Sequence, residues 1–472
     1  MLIGGRWRDA SDGATFAVRD PADESVIAHV ADADAHDALE ALDAAVAVQE
    51  EWGSTPPRER GEILRRAFEL VTARADDFAE QISHEMGKTV REAQGEVTYG
   101  AEFLRWFSEE AVRVHGRWMQ SPGGGARLLT IKKPVGPCLL ITPWNFPLAM
   151  GTRKMGAAIA AGCTMVVKPA ELTPLTMLAL AAVLEEVGLP PGVLNVVTTS
   201  DPAALSSALM ADARLRKVSF TGSTTVGRLL VRQSSGGLQR MSMELGGNAP
   251  FIVFGDADVD AALDGAMVAK MRNVGEACTA ANRFLVHESI AEEFAEKLAQ
   301  RMASLVVGRG QDDGVDVGPL IDQNAVDTVS QLVSDAVDKG ARLVTGGRPG
   351  DGPGHFFPPT VLVDVPPEAE MNKQEIFGPV APITSFAGED EAIARANDTD
   401  YGLASYVYTR DLARAIRVSE RLQFGMIGIN SGSVSNAAAP FGGVKASGFG
   451  REGGFEGIEE YLDTAYVALS AS

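Results

Sequence analysis

The sequence contains only three cysteines among its 472 residues: Cys138, Cys163 and Cys278. Such an odd and sparse set excludes the disulfide framework of a small secreted domain and is typical of a reducing compartment. Long apolar runs are also missing, since the longest uncharged one, from about residue 155 to residue 167, is too short to span a bilayer. Residues 1–8 lack the apolar core and cleavage site of a signal peptide. We therefore expect a cytoplasmic protein with no membrane partner.

Positive charge is scarce. The chain has 42 basic and 63 acidic residues and a formal net charge of −21. This balance argues against binding to nucleic acid or to anionic membranes, which are polyanions. An anionic substrate would have to be held by a local group of arginines. The length predicts two or three domains, and a core of this size needs no disulfide or structural metal, so no metal site is expected.

Apolar strand-like runs alternate with helix-like segments through the middle of the chain. Strands are predicted near residues 138–142, 165–167, 193–197 and 218–220, and helices over 148–161 and 173–187. This order favours a doubly wound parallel sheet with ligands at the carboxyl ends of its strands. The pattern repeats after Pro250, so we predict a second α/β domain.

Two segments at predicted strand ends could hold a cofactor. Phe220–Gly227 follows an apolar strand and contains Gly222 and Gly227, which would allow close approach of a pyrophosphate to a helix N-terminus. Its spacing is not that of the usual dinucleotide motif, and an ordinary strand-to-helix turn fits equally well. Lys168 and Glu171 end another strand, where they could bind ribose hydroxyls or form a solvated charge pair.

Three residues are candidates for chemistry. Cys278 follows a glycine turn among small and polar residues, where a thiolate could be accessible and stabilised, although a structural thiol is an open alternative. Glu244 lies in an apolar strand beside paired glycines and could be a buried base or an edge-strand carboxylate facing solvent. Asn145 lies between aromatic residues, where it could donate to an oxyanion or cap a helix.

Six motifs that occur in order over about 240 residues resemble the aldehyde dehydrogenase superfamily. They are Thr142-Pro143-Trp144-Asn145-Phe146-Pro147, Lys168-Pro169-Ala170-Glu171, Phe220-Thr221-Gly222-Ser223, Glu244-Leu245-Gly246-Gly247-Asn248, Asn273 to Cys278, and Glu375-Ile376-Phe377-Gly378-Pro379. The resemblance implies an α/β fold with a Rossmann-like NAD-binding domain, an α/β catalytic domain and a small β element that bridges subunits. We place the NAD-binding domain at residues 1–116 and 135–246 and the catalytic domain at residues 247–446. The bridging element would consist of residues 117–134 and 447–472. A homodimer or homotetramer is implied.

The same resemblance assigns roles to the motif residues. It makes Cys278 the nucleophile and Glu244 the general base, with the Asn145 side chain and the Cys278 backbone N–H as the oxyanion hole. Lys168 and Glu171 would bind the adenosine ribose, Ser223 the pyrophosphate and Glu375 the nicotinamide ribose. The full set expected to bind the cofactor is Thr142, Pro143, Trp144, Asn145, Lys168, Glu171, Gly222, Ser223, Gly227, Leu245, Glu375 and Phe377. The carboxylate of Glu171 favours NAD⁺, with NADP⁺ also possible.

Two segments depart from the family pattern. Glu276 stands where a glutamine is usual, and a carboxylate two residues from the thiol could raise the pKa of that thiol. The usual glycine-rich turn after the fifth strand is replaced by residues 198–202, which leaves that side of the adenine pocket undefined.

Within the superfamily the chain most resembles the succinate-semialdehyde dehydrogenases. The resemblance implies that Arg153, Arg283 and Ser435 bind the distal carboxylate of the substrate, although salt bridges are an alternative role for the arginines. Some members carry a second cysteine as a redox switch, but Ala280 occupies that position here. Three alternatives stay open: a longer substrate such as glutarate semialdehyde, a CoA-acylating reaction that Glu244 disfavours, and a catalytically silent relative.

Overall fold

A computed structural model describes residues 1–470, so the last two residues of the predicted bridging segment lie outside the described residues. The described chain forms twenty strands. They are β1 (Leu2–Ile3), β2 (Arg6–Trp7), β3 (Thr15–Arg19), β4 (Val26–Ala31), β5 (Trp118–Gln120), β6 (Ala126–Pro134), β7 (Cys138–Ile141), β8 (Met165–Lys168), β9 (Leu194–Val196), β10 (Lys217–Thr221), β11 (Arg240–Glu244), β12 (Ala249–Val253), β13 (Ala281–His287), β14 (Arg342–Thr345), β15 (Thr360–Val363), β16 (Val380–Phe386), β17 (Ala404–Tyr408), β18 (Met426–Ile429), β19 (Gly448–Phe449) and β20 (Leu462–Ser470).

The same residues form fourteen α-helices. They are α1 (Ala35–Ser54), α2 (Pro57–Ala73), α3 (Ala75–Met86), α4 (Val90–Glu110), α5 (Ala149–Ala161), α6 (Leu175–Glu186), α7 (Pro202–Ala211), α8 (Thr224–Ser234), α9 (Val259–Met271), α10 (Ala291–Ala303), α11 (Gln323–Asp338), α12 (Glu389–Asn397), α13 (Leu412–Arg421) and α14 (Gly454–Glu459).

The first sheet has the order β19-β11-β10-β7-β8-β9-β1-β2. Strands β9, β8, β7, β10 and β11 are parallel, whereas β19, β1 and β2 pair antiparallel at the two edges. The chain runs outward from β7 through β8 to β9 and then returns to the other side of β7 with β10. The order therefore reverses between β7 and β10, and a crevice opens at the carboxyl ends of these two strands. The predicted doubly wound sheet is confirmed.

Helices cover both faces of this sheet, which is why its central strands consist of buried apolar residues. One core lies between the sheet and helices α2 to α6, and the other contains residues of α1, α7 and α8. Every residue of α5 is buried. Because α5 contains Arg153 and Lys154, its position encloses two positive charges in the protein interior and requires a buried counter-charge.

The second sheet has the order β14-β15-β16-β13-β12-β17-β18 and is parallel except for the edge strand β14. Its apolar cores include residues of α9 and α10 in one cluster and residues of α12 and α13 in another. The four residues between β11 and β12 connect the two sheets directly. Cys278 precedes β13, so the second sheet carries the candidate nucleophile at the amino end of one of its strands.

A third sheet, β20-β6-β5, projects Trp118, Met119 and Tyr466 into solvent. Its strands come from the segments predicted to bridge subunits, but the predicted boundary at residue 447 is wrong. Strand β19 pairs with β11 in the first sheet, and α14 packs against α4 and α5. The segment from 448 to about 460 therefore belongs with the first sheet, and only β20 joins β5 and β6.

In the part of the chain that the structure describes, no helix combines the length and the apolar character needed to cross a lipid bilayer.

Candidate active site

A cavity of about 240 Å³ lies at the carboxyl ends of β7 and β10, where the strand order reverses. It brings together residues from five of the six sequence motifs. The lining residues are Pro143, Trp144, Asn145, Met150, Thr221, Gly222, Ser223, Leu245, Gly246, Cys278, Glu375 and Phe377. The cavity therefore contains both the candidate nucleophile and most of the residues expected to bind the cofactor.

The loop that leads to Cys278 has an unusual backbone. Asn273, Val274 and Gly275 have φ angles of 57°, 58° and 78°, so three consecutive residues adopt the left-handed conformation. A β-branched valine is rarely found there, and each strained residue costs about 1–3 kcal/mol. Gly275 lies against the second sheet, since a methyl group at this position would be 2.3 Å from the carbonyl oxygen of Gly378. The surrounding protein must hold this turn in place.

Hydrogen bonds made by Asn273 hold the left-handed turn in place. Its backbone N–H donates to the Glu92 carboxylate of α4 at 2.6 Å, and its side-chain amide donates to the carbonyl oxygens of Asn145 and Glu276. Lys88 also donates to the Asn145 carbonyl oxygen at 2.8 Å and forms an ion pair with Glu96. The loops that carry the candidate nucleophile and the candidate oxyanion donor are thus joined to each other and to α4.

The Cys278 side chain is half-buried and opens on the cavity. Burial raises the pKa of the thiol to about 12; Arg153 opposes this shift, while the carboxylates of Glu375 and Glu244 add to it. The backbone of Gly247 packs closely against the backbone of Cys278, because a methyl group at Gly247 would lie 2.2 Å from the Cys278 carbonyl oxygen. The thiol is therefore held rigidly and is largely protonated at neutral pH.

Asn145 is buried in the middle of the loop that joins β7 to α5. Its side-chain nitrogen donates to the Glu276 carbonyl oxygen at 2.9 Å, while its side-chain oxygen has no hydrogen-bond partner among the described residues. An amide nitrogen carries two hydrogens, so one N–H remains for an oxyanion in the cavity. This geometry suits the predicted role and shows no helix cap by Asn145, since α5 begins only at Ala149.

Glu244 ends β11 and is almost fully buried, with one carboxylate oxygen unpartnered among the described residues. Burial raises its pKa well above the ordinary value, and the nearby Glu452 adds to this shift. Arg153, Lys154 and Arg451 oppose it. The edge-strand alternative is therefore wrong, and Glu244 has the raised pKa of a group that can accept a proton near neutral pH.

Glu452 supplies the counter-charge that α5 requires. One of its carboxylate oxygens lies 2.6 Å from Nε of Arg153, and the other accepts from Lys154. The two terminal nitrogens of Arg153 have no hydrogen-bond partner among the described residues, and its guanidinium lies 4.2 Å from the centre of the Phe441 ring. Arg153 does not line the cavity around Cys278, so its predicted contact with the substrate carboxylate stays a prediction.

The candidate pyrophosphate site is the N-terminus of α8. Ser223 is the N-cap residue and accepts a hydrogen bond from the N–H of Val226. The buried hydroxyl of Thr221 has no partner among the described residues. Gly227 allows α8 to approach the chain after β11, because a methyl group there would lie 2.4 Å from the Leu245 side chain. Unpaired amides and a free hydroxyl beside the cavity fit a phosphate group.

Glu375 faces the paired glycines of the connection between the sheets. It accepts from the N–H of Gly247 at 3.1 Å, and a methyl group at Gly246 would lie 2.9 Å from its second oxygen. Burial raises its pKa to about 8 against the effects of that hydrogen bond and of Lys270. Phe377 has a φ of 52° and packs edge-on against Trp144, with ring centres 5.4 Å apart.

Lys168 and Glu171 form an ion pair of 2.9 Å where β8 ends. Lys168 is buried, whereas the Glu171 carboxylate is 43% exposed. The position beside the carboxyl ends of the sheet, together with the α8 N-terminus and Glu375, fits a dinucleotide laid across the crevice.

A second cavity of about 320 Å³ adjoins this region. Its lining residues are Glu92, Gly95, Glu96, Tyr99, Phe146, Arg272, Asn273, Ser433 and Ser435. The Arg272 guanidinium lies over the rings of Phe146 and Tyr99, at 4.9 and 5.4 Å from their centres. Its charge also lowers the pKa of the Cys278 thiol, so the two groups lie within electrostatic range. This cavity offers a cation and two hydroxyls beside Asn273 of the loop that leads to the nucleophile, and it contains the predicted residue Ser435.

Arg283 lies elsewhere. Its guanidinium is buried under β13 and donates to three backbone carbonyl oxygens, those of Asn248, Arg395 and Ala396, at 2.9–3.0 Å. Burial lowers its pKa to about 10. All three nitrogens thus tie β13 to α12 and to the connection between the two sheets, and the prediction that Arg283 binds substrate is wrong.

The sequence reasoning missed Arg272, Ser433 and Glu452. Arg272 could have been recognised, because it immediately precedes the motif of Asn273 to Cys278 and is the only arginine within ten residues before the thiol. Glu452 carries no local signal, since its partner Lys154 is 298 residues away in the sequence.

The aldehyde dehydrogenase family model matches residues 7–467. A succinate-semialdehyde dehydrogenase of Paenarthrobacter nicotinovorans is 60% identical over 94% of this chain and 99% of its own length. A glutarate-semialdehyde dehydrogenase of Pseudomonas aeruginosa is 48% identical over 99% of this chain and 96% of its own. The solved succinate-semialdehyde dehydrogenase of Burkholderia pseudomallei superposes with a TM-score of 0.98 at 48% identity, covering 100% of this chain and 97% of that one. The chain therefore belongs to the aldehyde dehydrogenase family and is an oxidoreductase that uses NAD(P)⁺.

Proposed function

We propose that the chain oxidises succinate semialdehyde, or a closely related acid semialdehyde, to the dicarboxylate with Cys278 as nucleophile. The observation that carries this proposal is the cavity in which Arg272 and the hydroxyls of Ser433 and Ser435 adjoin the Cys278 loop. Relatives at 48–60% identity are named for succinate and glutarate semialdehydes, which both bear a distal carboxylate. A net charge of −21 makes such a local positive site necessary for an anionic substrate.

In the first half-reaction the Cys278 thiolate attacks the aldehyde carbon and forms a thiohemiacetal. The oxyanion that develops accepts hydrogen bonds from the free N–H of the Asn145 amide and from the backbone N–H of Cys278. Ser223, Lys168 and Glu375 would hold NAD(P)⁺, which would supply the hydride acceptor at this cavity. Loss of the carbonyl hydrogen with its electron pair leaves a thioester on Cys278.

In the second half-reaction the Glu244 carboxylate takes a proton from a water molecule, and the resulting hydroxide attacks the thioester carbon. The C–S bond breaks, and the carboxylic acid and the Cys278 thiol are released. Burial and Glu452 raise the pKa of Glu244, which makes its carboxylate a stronger base for this proton transfer, and Arg153 and Lys154 oppose the shift.

The distal carboxylate of the substrate would be bound by Arg272, which can donate two parallel hydrogen bonds, and by the Ser435 hydroxyl. Two carboxylates, Glu92 and Glu96, line the same cavity. Glu96 is paired with Lys88, and burial raises the pKa of Glu92 above its ordinary value. The unpartnered terminal nitrogens of Arg153 make it a second candidate for this contact.

For the cofactor we propose a preference for NAD⁺, because the Glu171 carboxylate beside Lys168 would repel a 2′-phosphate. A relative from Escherichia coli with 48% identity is named for NADP⁺, and a betaine aldehyde dehydrogenase of Staphylococcus aureus with 32% identity was solved with NAD⁺, so relatives of both types occur. The exposure of Glu171 gives its carboxylate room to turn away, so the preference is measurable only by comparing both cofactors.

We further propose a homodimer or homotetramer that functions in the cytoplasm. The support is the third sheet, where Trp118 and Tyr466 are each 62% exposed. Large exposed apolar side chains on a projecting sheet are typical of a subunit interface. Sedimentation equilibrium of the purified protein would measure the number of subunits.

The decisive experiment measures NADH or NADPH production with succinate semialdehyde, glutarate semialdehyde and butyraldehyde. We expect the highest kcat/KM for succinate semialdehyde and the lowest for butyraldehyde, which lacks the carboxylate. A preference for glutarate semialdehyde would select the longer substrate. Equal values for all three would refute the carboxylate site, and no turnover with any aldehyde would indicate a catalytically silent relative.

A further inference from the structure

Glu276 is a fully buried carboxyl group two residues before Cys278. One of its carboxyl oxygens accepts a hydrogen bond from the backbone N–H of Ile321 at 3.1 Å. The other has no partner among the described residues. The side chain therefore makes a single contact, and that contact ties the nucleophile loop to the segment just before α11.

The backbone of Glu276 makes a different contact. Its carbonyl oxygen accepts from the side-chain amides of Asn145 and Asn273, both at 2.9 Å. The position of this carbonyl thus decides where the Asn145 amide points. The Glu276 carbonyl group directly follows the three left-handed residues. Such a strained turn relaxes unless surrounding residues hold it.

The groups facing the Glu276 side chain come from three segments. Lys88 precedes α4, Glu92 lies on α4, and Asp322 is the N-cap of α11. Lys88 is already bound to Glu96 and to the Asn145 carbonyl oxygen, so no cation makes a hydrogen bond with Glu276. Burial raises the pKa of Glu276 well above its ordinary value; Asp322 and Glu92 add to this shift, and the Ile321 N–H and Lys88 oppose it.

We propose that Glu276 is a positioning residue that acts as a neutral carboxylic acid, anchoring the strained nucleophile loop to Ile321 and thereby aiming the Asn145 amide at the oxyanion. A neutral acid can remain in this site with one hydrogen bond, whereas an ionised one would face two other carboxylates without a paired cation. The inference rests on the proposed roles of Cys278 and Asn145. The function of Glu276 would thus be structural support of the oxyanion donor, and it would not depend on a negative charge.

The first test compares Glu276→Gln with Glu276→Ala at pH 7. Glutamine keeps the volume and the acceptor oxygen for Ile321, so its kcat should stay within about threefold of the wild-type value. Alanine removes the anchor, and a displaced oxyanion donor should lower kcat by about 10- to 100-fold with a smaller effect on KM. If glutamine is as damaging as alanine, the neutral acid is not the active form and the proposal fails.

The second test is a pH profile of wild type and Glu276→Gln from pH 6 to pH 10. Ionisation of Glu276 at high pH places a carboxylate beside Glu92 and Asp322 and loosens the loop. The wild-type kcat should therefore fall relative to the glutamine variant as pH rises, while all other titrating groups are shared by the two proteins. A constant ratio across this range would overturn the proposal, and this test does not require the alanine variant to fold.

A third measurement needs no substrate. Mass spectrometry of Cys278 alkylation by iodoacetamide should show at least about a threefold faster reaction in Glu276→Ala, because the released loop exposes the thiol, and an unchanged rate in Glu276→Gln. Glu292→Gln, an exposed glutamate on α10, is the matched control and should change neither rate nor kcat. If the wild type oxidises no semialdehyde, the proposed function fails, but equal alkylation rates in all variants are what would overturn the role of Glu276.

Discussion

Replacing Arg272 by methionine separates substrate recognition from catalysis. Methionine keeps an unbranched apolar side chain against Phe146 and Tyr99 but removes the charge and the hydrogen-bond donors. Losing a donor to a charged group costs about 1.5–3 kcal/mol, which corresponds to roughly 10- to 150-fold in kcat/KM for succinate semialdehyde. Butyraldehyde has no carboxylate, so it makes no such hydrogen bond with Arg272 in the wild-type enzyme. It should be affected only through the cation–π contacts, worth about 0.5–1 kcal/mol, or roughly two- to fivefold.

The assay is steady-state NADH production with both aldehydes at several concentrations, for wild type, Arg272→Met and Arg272→Lys. Lysine keeps the charge without the planar pair of donors, so it should recover part of the loss with succinate semialdehyde. Arg283→Met is the matched control, because it removes an arginine of the same motif region whose donors all go to backbone carbonyl oxygens. This control should lower the thermal stability and affect both aldehydes alike.

Two results would refute the reasoning. An equal loss for both aldehydes in Arg272→Met would show that Arg272 supports only the loop. Discrimination between the aldehydes in Arg283→Met would show that the buried guanidinium reaches the substrate after all.

Three further outcomes are expected. Alkylation of Cys278 in the cofactor-free enzyme should accelerate about tenfold for each pH unit between 7 and 9, because the thiolate is the reactive form and the pKa is raised to about 12; a plateau near pH 8 would contradict this. Glu244→Gln should form the thioester but hydrolyse it slowly, so that mass spectrometry detects an acyl-enzyme; a normal turnover rate without accumulation would exclude Glu244 as the base. Glu171→Gln should raise kcat/KM for NADP⁺ relative to NAD⁺, and an unchanged ratio would place the carboxylate away from the ribose.

The strands and helices of the first sheet could be predicted because apolar runs alternate with glycine turns there. The runs at residues 138–142, 165–167 and 218–220 correspond to β7, β8 and β10, and the glycine turn after β10 does open a helix. Parallel strands buried on both faces are continuous apolar segments and are easy to recognise. Their carboxyl ends meet at one edge, so Asn145, Gly222 and Glu244 had to lie near one another.

The substrate arginines could not be assigned in the same way. Arg272 and Arg283 are both close to Cys278 in sequence, and only the direction of each side chain distinguishes them. Arg283 lies within β13, where it is fixed by the register that pairs it with Pro250, whereas Arg272 precedes a left-handed turn that no local pattern indicates. The start of the C-terminal bridging segment was predicted too early in the sequence for a similar reason. The pairing of β19 with β11 joins residues about 200 positions apart, and no local pattern indicates it.

The charge balance inside α5 depends on a residue near the end of the chain. Glu452 neutralises Arg153 and Lys154, and β19 closes the edge of the first sheet beside Glu244. During synthesis, Arg153 and Lys154 are therefore made almost 300 residues before the carboxylate that neutralises them. Burial of cations without a counter-charge is costly, so we expect α5 to reach its buried position only when the C-terminal segment is present. A protein truncated before Glu452 would lack a stable interior around the reaction site, and not merely its last strands.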